Sequence, residues 1–250
     1  MREPMNTIAL LRRVGAELLG TGLLVTVVVG SGIAAARLST DSGLQLLENS
    51  IATALGLAVL ILLLGPVSGA HFNPVVSLAD TLLDRRHGTG MPLPLSVFYI
   101  VAQVAGAILG AMLANAMFEI PTSIATTARA TAGTFLAEIV ATAGLVLLIF
   151  GLARARRTAP TIAAAVGAYI GAAYWFTSST SFANPAVTIG RIFTDTFAGI
   201  APTSVLPFLA AQLFGAGIGV ALAVLLFPRA TVTADDLAVT RTLTDPKEAS

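Results

Sequence analysis

The residues best placed to do chemistry in this chain are two Asn-Pro pairs. One sits in Ser68-Gly69-Ala70-His71-Phe72-Asn73-Pro74-Val75, the other in Ser179-Thr180-Ser181-Phe182-Ala183-Asn184-Pro185-Ala186. Proline suits the first turn of a helix, where its missing N–H is no loss, and Asn suits the N-cap. Each pair follows a long apolar stretch and opens a short apolar one. Both therefore predict helices that begin abruptly at membrane depth, with free N–H groups and a positive dipole end to present. Irregular backbone is tolerated there only where it is buried in protein or lines a polar cavity. Two such starts, one per half, predict a pore.

Other chemistry is scarce. Glu17 and Glu138 are carboxylates inside apolar runs, and such groups are functional candidates by default. His71 and His87 are too few and too far apart for a metal centre, and there is no cysteine for disulfides or thiolate sites. No Ser–His pair stands within the apolar runs, so no catalytic residue, metal or cofactor is expected.

The elements that must position these residues follow from composition. Hydrophobic residues make up 56% and charged residues 11%, the balance of a polytopic helical membrane protein. A formal net charge of +1 argues against nucleic acid as a partner and leaves the lipid bilayer. Val14–Ala36, Asn49–Gly65, Met91–Phe118, Thr131–Ala153, Thr158–Thr177 and Ser204–Phe227 are each long enough to cross a ~30 Å hydrocarbon core. Pro74–Leu83 and Pro185–Phe193 are too short and read as re-entrant half-helices. The first run resembles a secretory signal, with Arg12 and Arg13 before it and Ala34-Ala35-Ala36 at its end, but its length and Glu17 make it a retained span.

Arginines set the expected orientation. With the N-terminus inside, Arg37, Arg129 and Arg191 are the cationic residues left outside. The rest of the 14 (Arg2, Arg12, Arg13, Arg85, Arg86, Arg154, Arg156, Arg157, Arg229, Arg241 and Lys247) fall on the cytoplasmic side. Both termini are then cytoplasmic, and His87 with Arg85 and Arg86 forms a solvated turn. One channel domain is expected over residues 1–228, followed by a polar tail over 229–250.

An internal repeat, about 12–118 and 131–228, supports the pore. AELLGTGLL from Ala16 parallels AEIVATAGL from Ala137, which matches Glu17 with Glu138. AQVAGAILGAML from Ala102 parallels AQLFGAGIGVAL from Ala211, matching Gln103 with Gln212, Gly106 with Gly215 and Gly110 with Gly219. The glycines form small-xxx-small faces for close helix crossing. Gly56 and Gly167 stand equally far before their Asn residues. Three spans per copy is odd, so the copies are inverted, and inverted repeats put the functional site near the midplane at the broken helices. Glu17 and Glu138 then have a second reading, as acceptors that hold the backbone behind each half-helix.

Six spans, the inverted three-span repeat, SGAHFNP and the second box ANPA together resemble the major intrinsic protein family, the aquaporins and aquaglyceroporins, over roughly residues 10–228. The resemblance implies an all-α aquaporin-like hourglass of six transmembrane helices and two re-entrant half-helices, a pore in every subunit and a homotetramer. It implies a passive channel for small neutral solutes in a bacterial inner membrane. Asn73 and Asn184 would cap the half-helices and point amide N–H groups at the solute, with Pro74 and Pro185 behind them. The first box ends in Val75, where Ala is usual, as Ala186 is in the second; the added bulk should affect packing more than solute contact. His71 would lie on the cytoplasmic side of the pore.

The filter departs from the family. An arginine is usual three residues after the second Asn, and here that residue is Val187. The remaining filter positions, counted from the boxes, are Thr53, Ala172 and Ser181. Such a filter is small, uncharged and without aromatics, which predicts a wide pore for glycerol-like polyols, arsenite and water. ANPAVTIGR and the NPV box resemble aquaglyceroporins associated with arsenic-resistance operons. The alternatives are a water-selective or general glycerol and urea channel, and a secondary transporter moving protons through Glu17 and Glu138. Tyr174, Trp175 and Phe176 are expected in an interfacial aromatic belt, though the predicted pore-facing register of Ala172 leaves room for one of them to shape the vestibule.

Arg191 has two readings. It stands seven residues after Asn184, about 10 Å along the half-helix and on nearly the same face. There it would sit at the outer mouth and partly replace the absent filter arginine. Alternatively it pairs with Asp195 at i+4 and anchors the helix end. Its repeat-mate is Asp80.

Overall fold

The structure is a computed structural model and describes residues 6–83 and 90–228. The turn with Arg85, Arg86 and His87, residue Arg2 and the tail over 229–250 lie outside the described residues. Among the described residues, six helices are long and apolar enough to cross a membrane: α1 (Thr7–Leu38), α2 (Ser42–Ser68), α4 (Leu93–Met117), α5 (Ala132–Arg154), α6 (Ala159–Phe176) and α8 (Pro202–Leu226). The short α3 (Pro74–Leu83) and α7 (Pro185–Gly190) are the half-helices, and a 3₁₀ turn, Arg191–Phe193, continues α7.

Helix ends follow local chemistry rather than hydropathy. Helix α1 starts seven residues before the apolar run, where the Asn6 side chain accepts from the Ile8 amide at 3.0 Å. A helix can extend through polar residues beyond the hydrocarbon, so an apolar window marks only its middle. Asp41 caps α2, accepting from the Leu44 amide at 2.8 Å. That helix passes through Pro66, which removes one internal hydrogen bond, and it ends at Gly69 with φ 94°.

The two copies pack alike. Helix α1 lies against α4 as α5 lies against α8, with α2 and α6 between the pairs. Gly110 of α4 faces the Gly22 carbonyl of α1, so a Cβ there would meet backbone, and Gly219 of α8 faces the Ala143 carbonyl of α5 in the same way. Thr26 uses the close approach, donating to the Gly110 carbonyl at 3.1 Å. In a membrane, where burial in lipid and in protein are alike apolar, such backbone contact is what selects a helix pair. The result is an inverted pair of three-span units with both half-helices meeting inside.

Candidate pore and its constriction

Each half-helix is held by a buried carboxylate. Glu17 accepts from Ser68 Oγ at 2.6 Å, the His71 amide at 3.0 Å, the Phe72 amide at 2.7 Å and Gln103 Nε2 at 2.8 Å. Glu138 repeats the pattern with Ser179 Oγ at 2.6 Å, the Phe182 amide at 2.9 Å, the Ala183 amide at 2.9 Å and Gln212 Nε2 at 2.6 Å. Both side chains are fully buried, and the four bonds to each satisfy its oxygens. The loops they hold are bent, with left-handed φ at Ala70 (51°) and Phe72 (49°), and at Ser181 (51°) and Ala183 (47°). Non-glycine residues hold such angles only where surrounding contacts fix them.

The Asn residues then meet at the centre. Asn73 Oδ1 accepts from the Val75 amide at 3.1 Å, while its Nδ2 donates to the Ala183 carbonyl at 2.8 Å. Asn184 Oδ1 accepts from the Ala186 amide at 3.0 Å, and its Nδ2 donates to the Phe72 carbonyl at 2.8 Å. Each side chain caps its own half-helix and clasps the opposite loop, with Pro74 and Pro185 at the first helical position.

A single cavity of about 600 Å³ passes both Asn residues, from Asp80 and His71 near one end to Thr53, Ser181, Val187 and Arg191 near the other. Leu57, Leu145, Ile149 and Val166 supply an apolar wall. His71 Nδ1 lies 3.1 Å from Ser77 Oγ, and its Nε2 lies 3.9 Å from Asp80. Val75 is fully buried away from the cavity, against Ala79, Val146 and Ala216.

Three expectations change here. Ala172 is exposed on α6 and does not line the cavity, while Tyr174 does, with its hydroxyl 3.1 Å from Thr53 Oγ1. Residues two apart on a helix point about 200° apart, so counting back from Asn184 gives the wrong face. The period of the buried α6 residues, Ala163, Val166, Gly167, Ile170, Ala173 and Tyr174, is the signal that places Tyr174 inward. Trp175 and Phe176 stay exposed, as an aromatic belt requires. Second, the constriction is neither free of aromatics nor uncharged. Phe182 also lines it, and Arg191 reaches the cavity with its Cζ 3.5 Å from the Phe182 ring centre.

Third, Arg191 is not paired with Asp195. Its Nε donates to the Ala198 carbonyl, and Asp195 accepts from the Thr126 amide at 2.9 Å. The segment between the two repeats crosses this region, with the Ala125 amide on the Ile192 carbonyl at 2.8 Å. Arg129, from the same segment, donates to the Gly199 and Phe197 carbonyls at 2.6 and 2.8 Å. The turn carrying Arg191 is thus tied from both sides.

The comparisons with known proteins agree with this architecture. A profile of the family described as Major intrinsic protein matches residues 4–181. The chain belongs to the major intrinsic protein family. Aquaglyceroporin AqpS of Rhizobium meliloti (strain 1021) is 49% identical over 223 residues, covering 87% of this chain and 91% of the relative. Aquaporin-5 of Ovis aries is 35% identical over 167 residues, 64% of this chain and 59% of the relative. An X-ray structure of the aquaglyceroporin from Plasmodium falciparum has the same fold, with TM-score 0.66 at 21% identity over 88% of this chain and 96% of that one. As a member of this family, the chain is a multi-pass membrane channel and not an enzyme.

Proposed function

We propose that the chain is a passive channel for small neutral hydroxylated solutes: glycerol-like polyols, metalloid hydroxides such as arsenite, and water. The observation that carries this reading is a cavity running past both Asn residues with Val187, and no arginine, three residues after Asn184. A solute entering sheds part of its hydration. Each Asn amide has two N–H groups and spends one on the opposite loop, so the other can donate to a solute oxygen. The apolar wall offers no partner and keeps the solute on the polar track. The half-helix N-termini add a positive potential that disfavours cations.

In this reading Thr53, Tyr174, Ser181, Val187 and Arg191 form the filter, His71 lines the path, and Glu17 and Glu138 are scaffold groups. The full hydrogen bonding of both carboxylates leaves them no free acceptor for a proton relay, which favours a channel over a proton-coupled transporter. The relatives named an aquaglyceroporin and, in Pseudomonas aeruginosa, a Glycerol uptake facilitator protein (40% identical over 104 residues) support the solute class. The channel domain spans 1–228 with a cytoplasmic tail over 229–250, both termini are cytoplasmic, and the assembly is a homotetramer in a bacterial inner membrane.

A water-selective channel is the second reading, favoured by Tyr174 and Arg191 on the same lining as Val187. Stopped-flow light scattering on proteoliposomes separates them. Passage of glycerol and arsenite, suppressed in Val187→Arg while water continues, supports the first reading. Passage of water alone supports the second.

A further inference from the structure

The Arg191 end of the cavity holds a cation with no carboxylate of the described residues in ion-pair contact; the nearby Glu138 charge is spent on four hydrogen bonds of its own. Arg191 is 4% exposed, bonds the Ala198 carbonyl through Nε alone and stacks on Phe182. Its terminal nitrogens make no hydrogen bond to the described residues. The charged neighbour on the same ring is a second cation, Arg129, with Cζ 5.7 Å from the Phe182 centre. Within the protein the guanidinium has one carbonyl and one ring as partners, and its terminal nitrogens stay open to the cavity.

A second observation points to a ligand. Ser181, also 4% exposed, lines the same cavity next to Phe182 in the chain, and its Oγ has no hydrogen-bond partner. An open planar guanidinium fork and an unused hydroxyl on the lining of one cavity are the chemistry that recognises two or three oxygens sharing one negative charge.

The inverted repeat places the opposite charge at the other end. Asp80 stands seven residues after Asn73, as Arg191 does after Asn184, and lies 3.9 Å from His71. Of the charged groups that line the cavity itself, Arg191 draws an anion to one end and Asp80 repels it at the other, with Arg13 behind His71 and Glu138 behind Phe182 each offsetting part of that difference. We propose that a monoanionic oxyacid, a carboxylate or sulfonate, binds at Arg191 and Ser181 and obstructs the passage instead of crossing it. The obstruction rests on the channel reading above; the binding does not.

The probe is methanesulfonate, which stays anionic at any working pH, against chloride at equal ionic strength. In proteoliposomes carrying the full chain, glycerol flux should fall saturably with methanesulfonate and not with chloride. Half-inhibition should shift upward about tenfold or more in Arg191→Gln, the loss expected for a charge-assisted contact, and a few-fold in Ser181→Ala. Arg191→Lys should retain part of the effect. Equal inhibition by both anions, or an unchanged midpoint in Arg191→Gln, overturns the proposal. Thermal melting of the detergent-solubilised protein gives a second reading. Methanesulfonate should raise the wild-type midpoint and not that of Arg191→Gln, and no rise in the wild type also overturns it. If melting shows binding while no solute crosses faster than in empty vesicles, the channel reading fails and the subsite stands.

Discussion

Replacing Glu138 by Gln changes almost no volume and tests what holds the second half-helix. The carboxylate accepts four bonds, two at each oxygen, and is fully buried. A glutamine has one acceptor oxygen. If it faces Ser179 and Phe182, its NH₂ points at the Ala183 amide and Gln212 Nε2, donor against donor; in the flipped amide the NH₂ meets Ser179 Oγ, which can accept, and opposes the Phe182 amide. One or two charge-assisted bonds are lost, at roughly 1.5–3 kcal/mol each, so the variant should be about 1.5–6 kcal/mol less stable. Unfolding in mixed detergent micelles measures that loss. Hydrogen exchange reports whether the Phe182 and Ala183 amides lose protection. Glu17→Gln should cost a similar amount and open the His71–Phe72 loop instead, because its four partners match one for one. A loss below about 1 kcal/mol with both amides still protected would refute the reasoning. So would an intact fold that had lost only a dependence of uptake on a pH gradient, since that is the behaviour of a proton carrier.

Two further perturbations test the constriction and the packing. Tyr174→Ala removes a buried ring and the hydroxyl beside Thr53, so glycerol permeation should rise relative to water, at a stability cost of about 3 kcal/mol; an unchanged ratio in stopped flow would remove Tyr174 from the filter. Gly110→Val drives a side chain into the Gly22 backbone and should cost at least ~1–3 kcal/mol of overpacking. Gly217→Ala, with nothing within 4 Å of the new Cβ, should be tolerated, and equal melting of the two variants would show that the close approach of α1 and α4 is not what stabilises that pair.

Span count, both half-helix starts, the inverted repeat and the pairing of Glu17 with Glu138 are all legible along the chain. These rest on apolar length, on Asn-Pro chemistry and on matched spacing, all of which are local or internal to the chain. Pro74–Leu83 is the same segment in the sequence and in the structure, because a proline start and the end of an apolar run are both readable from neighbours. Rotation of a span about its own axis is different. Helix α6 is apolar on every side, and in a membrane the lipid and the protein interior reward the same residues. Counting therefore placed Ala172 inward, and tertiary packing decided for Tyr174, with Gly167 set against the Ala54 carbonyl of α2. Arg191 shows the same limit. Its i+4 neighbour Asp195 is the natural partner in sequence, yet the linker between the repeats brings Thr126 to that carboxylate and leaves the guanidinium to Phe182 and the cavity. Local spacing fixes which groups can reach the pore; which of them face it depends on contacts between residues far apart in the chain.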